Sequence, residues 1–296
     1  MTRRILVPLD GSKEAETILS QVQRIAILRD EVHLLHLVPP LHSPVGLEPT
    51  HVLSLHEQAS RYLEATRDRW LPGQEGLNLV RTGDPAEGIL NLALEKNIEL
   101  IAMSTHGRSR VAKMMMGSVA SEVVRKAQLP VLLTRPDMAL SSRRIRRILV
   151  SVEGLETPTE LLETVKSLAG GSNAEIILFH ADPIVPDPAP LWASPAASGI
   201  GSNRERHLQA MADDLEEQGF YAWPVVAVGD PVGQILAQAV KLDLDVIALA
   251  THGRSGLELI LEGSVTASVL RKSPVAVLIQ KPLVLHKAAV GGEAHE

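Results

Sequence analysis

Thr105-His106-Gly107-Arg108-Ser109 stands shortly before Gly117-Ser118-Val119, and both blocks recur in the same order as Thr251-His252-Gly253-Arg254-Ser255 and Gly263-Ser264-Val265. The two blocks share one offset, which indicates duplication of a whole unit and not chance recurrence of a pentapeptide. The repeat extends outward. Arg3-Arg4-Ile5-Leu6-Val7 returns as Arg146-Arg147-Ile148-Leu149-Val150, Gly83-Asp84-Pro85 as Gly229-Asp230-Pro231, and Pro130-Val131 as Pro274-Val275. Each unit is about 140 residues, an ordinary domain size, so the chain reads as two self-sufficient folds and not a solenoid. The division places one domain at 1–137, a polar linker at 138–143, a second domain at 144–281 and a loosely ordered tail at 282–296.

Within the first unit, short β-branched or leucine-rich runs at 5–9, 32–38, 77–81, 100–104 and 131–134 read as strands buried on both faces. Helical patterns fall between them at 13–28, 52–70, 86–96 and 118–127. Asp84-Pro85-Ala86-Glu87 reads as a helix start, with Asp84 as N-cap, Pro85 in the first turn and Glu87 closing a capping box. Asp230-Pro231-Val232-Gly233 keeps the cap without the glutamate. Such alternation implies an α/β fold in each unit, a five-stranded parallel sheet covered by helices on both faces. The apolar last strands, around Val131 and Val275, are expected to pair with each other in an internal pseudo-dimer. Association of two chains into a homodimer is left open.

Composition narrows the function classes. The 296 residues are 45% hydrophobic and 22% charged, as in a soluble globular protein, and only 2% aromatic, so aliphatic side chains must fill the cores. The absence of cysteine excludes disulfides and thiolate chemistry and fits a reducing, cytoplasmic setting. The opening apolar run ends at Pro8, too soon for a signal-peptide core, and no later run is long enough to span a membrane. A formal charge of −6 argues against a general nucleic-acid partner. The cluster Arg143, Arg144, Arg146 and Arg147 is expected to be a solvated linker and strand start.

The repeated glycines carry the chemistry. A glycine after a strand can adopt positive φ and bring backbone close to a ligand, and successive N–H groups form a concave anion site. Gly117 and Gly263 precede a helix whose free amides and dipole favour phosphate, with the Ser118 and Ser264 hydroxyls beside them. The alternative reading, that these glycines serve only turns and helix packing, stays open at this stage.

Strand one ending in Pro8-Leu9-Asp10-Gly11-Ser12, strand two reading Val32-His33-Leu34-Leu35-His36, and the Thr-His-Gly-Arg-Ser block with its later Gly-Ser-Val closely resemble the universal stress protein family. The resemblance implies strand order 3-2-1-4-5 and a ligand crevice between strands one and four. It also implies ATP or another adenine nucleotide, with or without magnesium. ATP-binding relatives carry Gly, two residues, Gly, nine residues, Gly and then Ser or Thr. Gly107, Gly117 and Ser118 match the later positions, as do Gly253, Gly263 and Ser264, whereas Ser104 and Ala250 replace the first glycine. By resemblance Asp10 hydrogen-bonds the nucleoside, the backbone near Leu37 meets adenine, and Met103 lines the pocket, with Pro8, His106, Arg108 and Val119 in the same site. The second-half counterparts are Glu153, Ala181, Leu249, Ala250, Arg254 and Val265. Glu153 for Asp10, Ser151 for Pro8 and Leu155 for Ser12 make that site the weaker expectation, although Gly256 replaces Arg110 and loosens its loop.

Other chemistries find little support. There is no Gly-Lys pair of a phosphate loop with a catalytic lysine, and no nucleophile elbow surrounds Ser109 or Ser255. His33 and His36 fall on opposite faces of a strand, poor geometry for one metal. His36 with His180, and His106 with His252, are expected to orient structure by hydrogen bonding, and at least Met114 and Met115 of Met114-Met115-Met116, which align with Ile260 and Leu261, to contribute to core packing. Arg110 and Lys113 read equally as phosphate contacts or solvated charges. Three functions remain: a nucleotide-binding sensor or regulator in stress response, a weak ATPase or phosphotransferase, and a ligand-free interaction module. No regulatory protein partner can be named from the sequence.

Overall fold

A computed structural model describes residues 2–40, 49–107, 116–138, 143–153, 159–170, 173–182, 200–251 and 265–281, with the side chains of 49–52 and 200–202 left aside. The first half runs β1 (Arg4–Pro8), α1 (Lys13–Ile25), β2 (Glu31–Val38), α2 (Pro49–Trp70), β3 (Asn78–Thr82), α3 (Pro85–Glu95), β4 (Leu100–Ser104), α4 (Ser118–Lys126) and β5 (Val131–Thr134). The second repeats it as β6 (Arg147–Ser151), α5 (Thr159–Gly170), β7 (Glu175–Asp182), α6 (Ile200–Glu217), β8 (Tyr221–Val228), α7 (Pro231–Lys241), β9 (Val246–Ala250), α8 (Val265–Lys272) and β10 (Ala276–Gln280).

Each half has the order 3-2-1-4-5, and the halves join in one ten-stranded sheet, β3-β2-β1-β4-β5-β10-β9-β6-β7-β8. Pairing is parallel within each half and antiparallel only where they meet, with Leu132 opposite Leu278. The apolar β5 and β10 therefore cover each other's open edges. The free edge β8 carries Pro224, which an edge strand tolerates because no further ladder bond is required of it.

Alternation along each strand divides the core into two layers. Ile5, Val7, Leu34, Ile148 and Leu178 face α1, α2, α5 and α6, while Leu6, Leu35, Ile101, Leu149 and Phe179 face α3, α4, α7 and α8. Helix α1 stops three residues earlier than expected because Asp30 organises a competing turn. Its buried carboxylate accepts the Ile27 amide at 3.0 Å, the Arg3 amide at 3.0 Å and the Arg3 guanidinium. The Asp84 and Asp230 caps form as expected, accepting the amides of Glu87 at 3.0 Å and Gly233 at 2.8 Å. The return bond of a capping box, from the Glu87 side chain, is not among the hydrogen bonds of the described residues.

At the start of the second half Arg143, Arg144 and Arg146 are exposed, as expected of a solvated linker and strand start, and Arg143, Arg146 and Arg147 also form ion pairs. Arg143 and Arg146 reach Asp243 at 3.1 and 2.9 Å, and Arg147 reaches Glu175 at 3.2 Å. They sit beside aspartates that the folded second half brings to the same end of the sheet, an adjacency invisible in the linear sequence. Met114 and Met115, the methionines expected in the core, lie outside the described residues, while Met116 packs against it.

Candidate functional site

The sheet order reverses direction between β1 and β4, so the loops after these strands diverge and leave a crevice at their carboxyl ends. A cavity of about 300 Å³ occupies that place in the first half. Pro8, Asp10, Leu37, Met103, Ser104, His106, Gly107, Gly117, Ser118 and Val119, all singled out from the sequence, line it together. Arg108 lies outside the described residues. Leu9, Ala15, Leu35, Pro85, Ile89, Thr105 and Ala120 line it as well and were missed. The Asp84-Pro85 helix start was the one available signal that the α3 end would reach the crevice.

The cavity has two chemically different ends. Leu35, Leu37, Pro85, Ile89 and Met103 make one apolar end between β2, α3 and β4. The other is the start of α4, where Gly117 is the N-cap and supplies no side-chain cap. Ser121 is the first residue to bond back to the Gly117 carbonyl, at 2.9 Å. The preceding amides of Ser118, Val119 and Ala120 therefore lie in the turn that helix geometry leaves without intrahelical acceptors. Such a terminus attracts anions through both its N–H groups and its dipole.

Asp10, just past the end of β1, lines the same cavity. Its Oδ1 accepts the Ser12 amide at 3.0 Å and the Ser12 hydroxyl at 2.6 Å, and Ser12 Oγ caps α1 by accepting the Ala15 amide at 3.1 Å. Gly11, at φ +84°, makes the turn that returns the Ser12 amide and hydroxyl to the Asp10 carboxylate.

The expectation of positive φ at the repeated glycines is corrected. Gly117 has φ −59°, and Gly107 is outside the positive-φ region too. Close approach is the reason for glycine at both places. A Cβ on Gly107 would stand 2.1 Å from Asp10 Oδ2, and one on Gly117 would stand 3.2 Å from the Thr105 carbonyl oxygen. Gly117 also donates its amide to that carbonyl at 2.8 Å. Ser104 fits the place of the first family glycine, its hydroxyl 3.4 Å from the His106 amide. His106 shares a hydrogen bond through Nδ1 with Thr105 Oγ1 at 3.0 Å, while its buried Nε2 has no partner among the described residues.

In the second half Leu249 is buried, Ala181, Ala250 and Val265 are partly buried at the corresponding strand and helix ends, and Glu153 is exposed. Gly253, Arg254, Gly263 and Ser264 lie outside the described residues. His180 is hydrogen-bonded, as expected, in a cluster whose partners Arg204 and Asp182 sequence reasoning missed. His180 donates through Nδ1 to the Val152 carbonyl at 2.7 Å, and Arg204 donates to His180 Nε2 at 2.9 Å and to Asp182. Among the described residues no group of three or more acidic or histidine side chains is placed to hold a metal ion, and no helix is long and apolar enough to cross a membrane.

This fold and site define a class of protein, the doubly wound α/β domain, present twice, with a crevice between the first and fourth strands of the first half. The universal stress protein family matches residues 1–135 and again 144–281, and the chain belongs to that family. A universal stress protein of Methanothermobacter thermautotrophicus is 32% identical over 143 residues, covering 46% of this chain and 97% of the relative. One from Mycolicibacterium smegmatis is 22% identical over 292 residues, covering 94% of this chain and 97% of the relative, so the tandem arrangement is shared along the full length. The crystal structure of a universal stress protein from Archaeoglobus fulgidus superimposes with a TM-score of 0.67 over 94% of this chain and 96% of its own, at 22% identity.

Proposed function

We propose that the first half binds an adenine nucleotide, ATP first among them, and that the chain works as a nucleotide-responsive sensor or regulator in stress response. The observation that carries this reading is the pairing of ends in one cavity: an apolar end suited to a base and an uncapped helix start suited to phosphates. Asp10 lines the same cavity, and ribose hydroxyls would donate to its carboxylate. Magnesium would enter with the phosphates. The family's association with stress agrees with such a role, and the reading does not require turnover.

Mass spectrometry of nucleotide released from the purified full chain tests it. Bound adenine nucleotide that is lost on Gly117→Val substitution supports the site, because the added branches would press on the Thr105 carbonyl; nucleotide content unchanged by that substitution defeats it. Sustained phosphate release that depends on Asp10 would favour a slow ATPase or phosphotransferase. Protein that neither carries nor takes up nucleotide would favour a ligand-free interaction module.

A further inference from the structure

Gly88 stands inside α3, where glycine costs about 1 kcal/mol relative to alanine, so its presence calls for a local reason. A Cβ at Gly88 would lie 2.5 Å from Leu37 Cδ1 and 3.3 Å from Leu37 Cγ. Leu37 therefore rests on the bare helix surface that Gly88 leaves, and the same leucine lines the apolar end of the cavity. The second half differs on the same strand and helix. Ala181 replaces Leu37 on β7, and Gln234 replaces Gly88 on α7, with its side-chain amide donating to the Val228 carbonyl at 3.0 Å. The Gln234 side chain is directed to the end of β8, and Ala181 is too small to fill the place of Leu37, so the two halves differ at both positions.

We propose that the contact between Leu37 and Gly88 is the size-selecting element of the first-half cavity, holding its apolar end to the dimensions of an unsubstituted purine. The inference rests on the adenine-nucleotide reading and adds to it the residues that limit the base. A cavity of about 300 Å³ lies at the lower end of the range for small-ligand clefts, so the position of one leucine side chain changes a substantial share of it. Substituting Gly88 by alanine forces Leu37 away from α3 and into the cavity. Shortening Leu37 opens the base end toward bulk carried on the exocyclic amine.

The test is calorimetric titration of the full chain with ATP and with N6-benzyl-ATP, for wild type, Gly88→Ala, Leu37→Ala and the double variant, each checked for folding by thermal melting. Gly88→Ala is expected to weaken ATP binding about tenfold, and Leu37→Ala to raise the affinity ratio of N6-benzyl-ATP to ATP about tenfold, the scale of one packing change in an apolar pocket. The double variant recovers ATP affinity relative to Gly88→Ala, since the new methyl then fills space that Leu37 has vacated. Folded Gly88→Ala that binds ATP as wild type does, or an unchanged ratio in Leu37→Ala, overturns the inference. The Leu37→Ala arm decides alone if Gly88→Ala does not fold. Wild type that binds no ATP overturns the functional reading together with this inference, whereas a binding wild type with insensitive variants overturns this inference only.

Discussion

Glu99 and Asp245 occupy the same place in the two halves, immediately before β4 and β9, and have the same backbone task. Glu99 accepts the Arg4 amide at 2.9 Å; Asp245 accepts the amides of Arg146 at 2.7 Å and Arg147 at 3.2 Å. Their surroundings differ. Glu99 is exposed, whereas Asp245 is buried beneath Arg24, which crosses from α1 of the first half and is buried with it. The other end of the pseudo-dimer contact is symmetric. Arg135, after β5, donates to the Arg271 carbonyl in the last turn of α8, and Lys281, after β10, donates to the Arg125 carbonyl in the last turn of α4. Duplicated backbones can thus share one geometry while single side chains make the halves unequal.

The largest effect should come from breaking the buried pair. Asp245→Asn leaves the Arg24 charge buried without its counter-ion and should cost about 3–5 kcal/mol, whereas Glu99→Gln should stay within about 0.5 kcal/mol. Equilibrium denaturation of both variants measures the contrast; equal losses would mean that the asymmetry has no energetic content.

A reciprocal carboxylate exchange probes the sites. Asp10→Glu should lower nucleotide affinity about tenfold, since an added methylene displaces an oxygen that close packing against Gly107 holds in place. Glu153→Asp should leave the affinity of the first site unchanged. Titration with ATP that finds the reverse would assign binding to the second half.

The symmetric helix ends predict equal and smaller losses. Arg135→Ala and Lys281→Ala each leave one last-turn carbonyl without its donor and should each cost about 1 kcal/mol. Unequal thermal shifts would show that the symmetry of these contacts does not extend to their energies.

The smallest effect separates His33 from Ile177, its counterpart in β7. Burial pushes the His33 imidazole below its usual 6.5, against the opposing pull of Glu31. Its Nδ1 accepts the Leu77 amide at 3.2 Å, which requires that nitrogen to be unprotonated. The unfolded chain therefore takes up a proton first as pH falls. Stability contributed by neutral His33 is present above pH 6.5 and is lost as pH falls from there through the lowered folded value. A proton NMR titration of the imidazole should have its midpoint below 6.5; a midpoint at or above it would place His33 on equal terms with an exposed histidine.

Much of the fold was legible because its signals are local. The repeated blocks, the alternation of short apolar runs with helical patterns, and the Asp-Pro caps each depend on a few adjacent residues. The cavity was half legible. Asp10, Gly107 and Gly117 belong to short motifs, but Leu35, Pro85 and Ile89 reach the crevice from elements whose adjacency no local pattern records. The glycines were found for an incomplete reason. Sequence suggests conformational freedom, whereas the structure shows that Gly107 makes room for Asp10, a residue far away in the chain.

By itself the sequence determined that there are two copies of one α/β unit, where their strands and helices fall, and which loops carry the glycine motifs. These follow from hydrophobic periodicity, capping and repetition, all short-range properties of the chain. The pairing of β5 with β10 was expected from their apolar edges, but only the tertiary structure decided its antiparallel register, that Arg24 and Asp245 bind across 221 residues of sequence, and that Leu37 rests on Gly88. Those outcomes depend on which surfaces meet when water is excluded, and side-chain volume and charge pairing are resolved only at that contact.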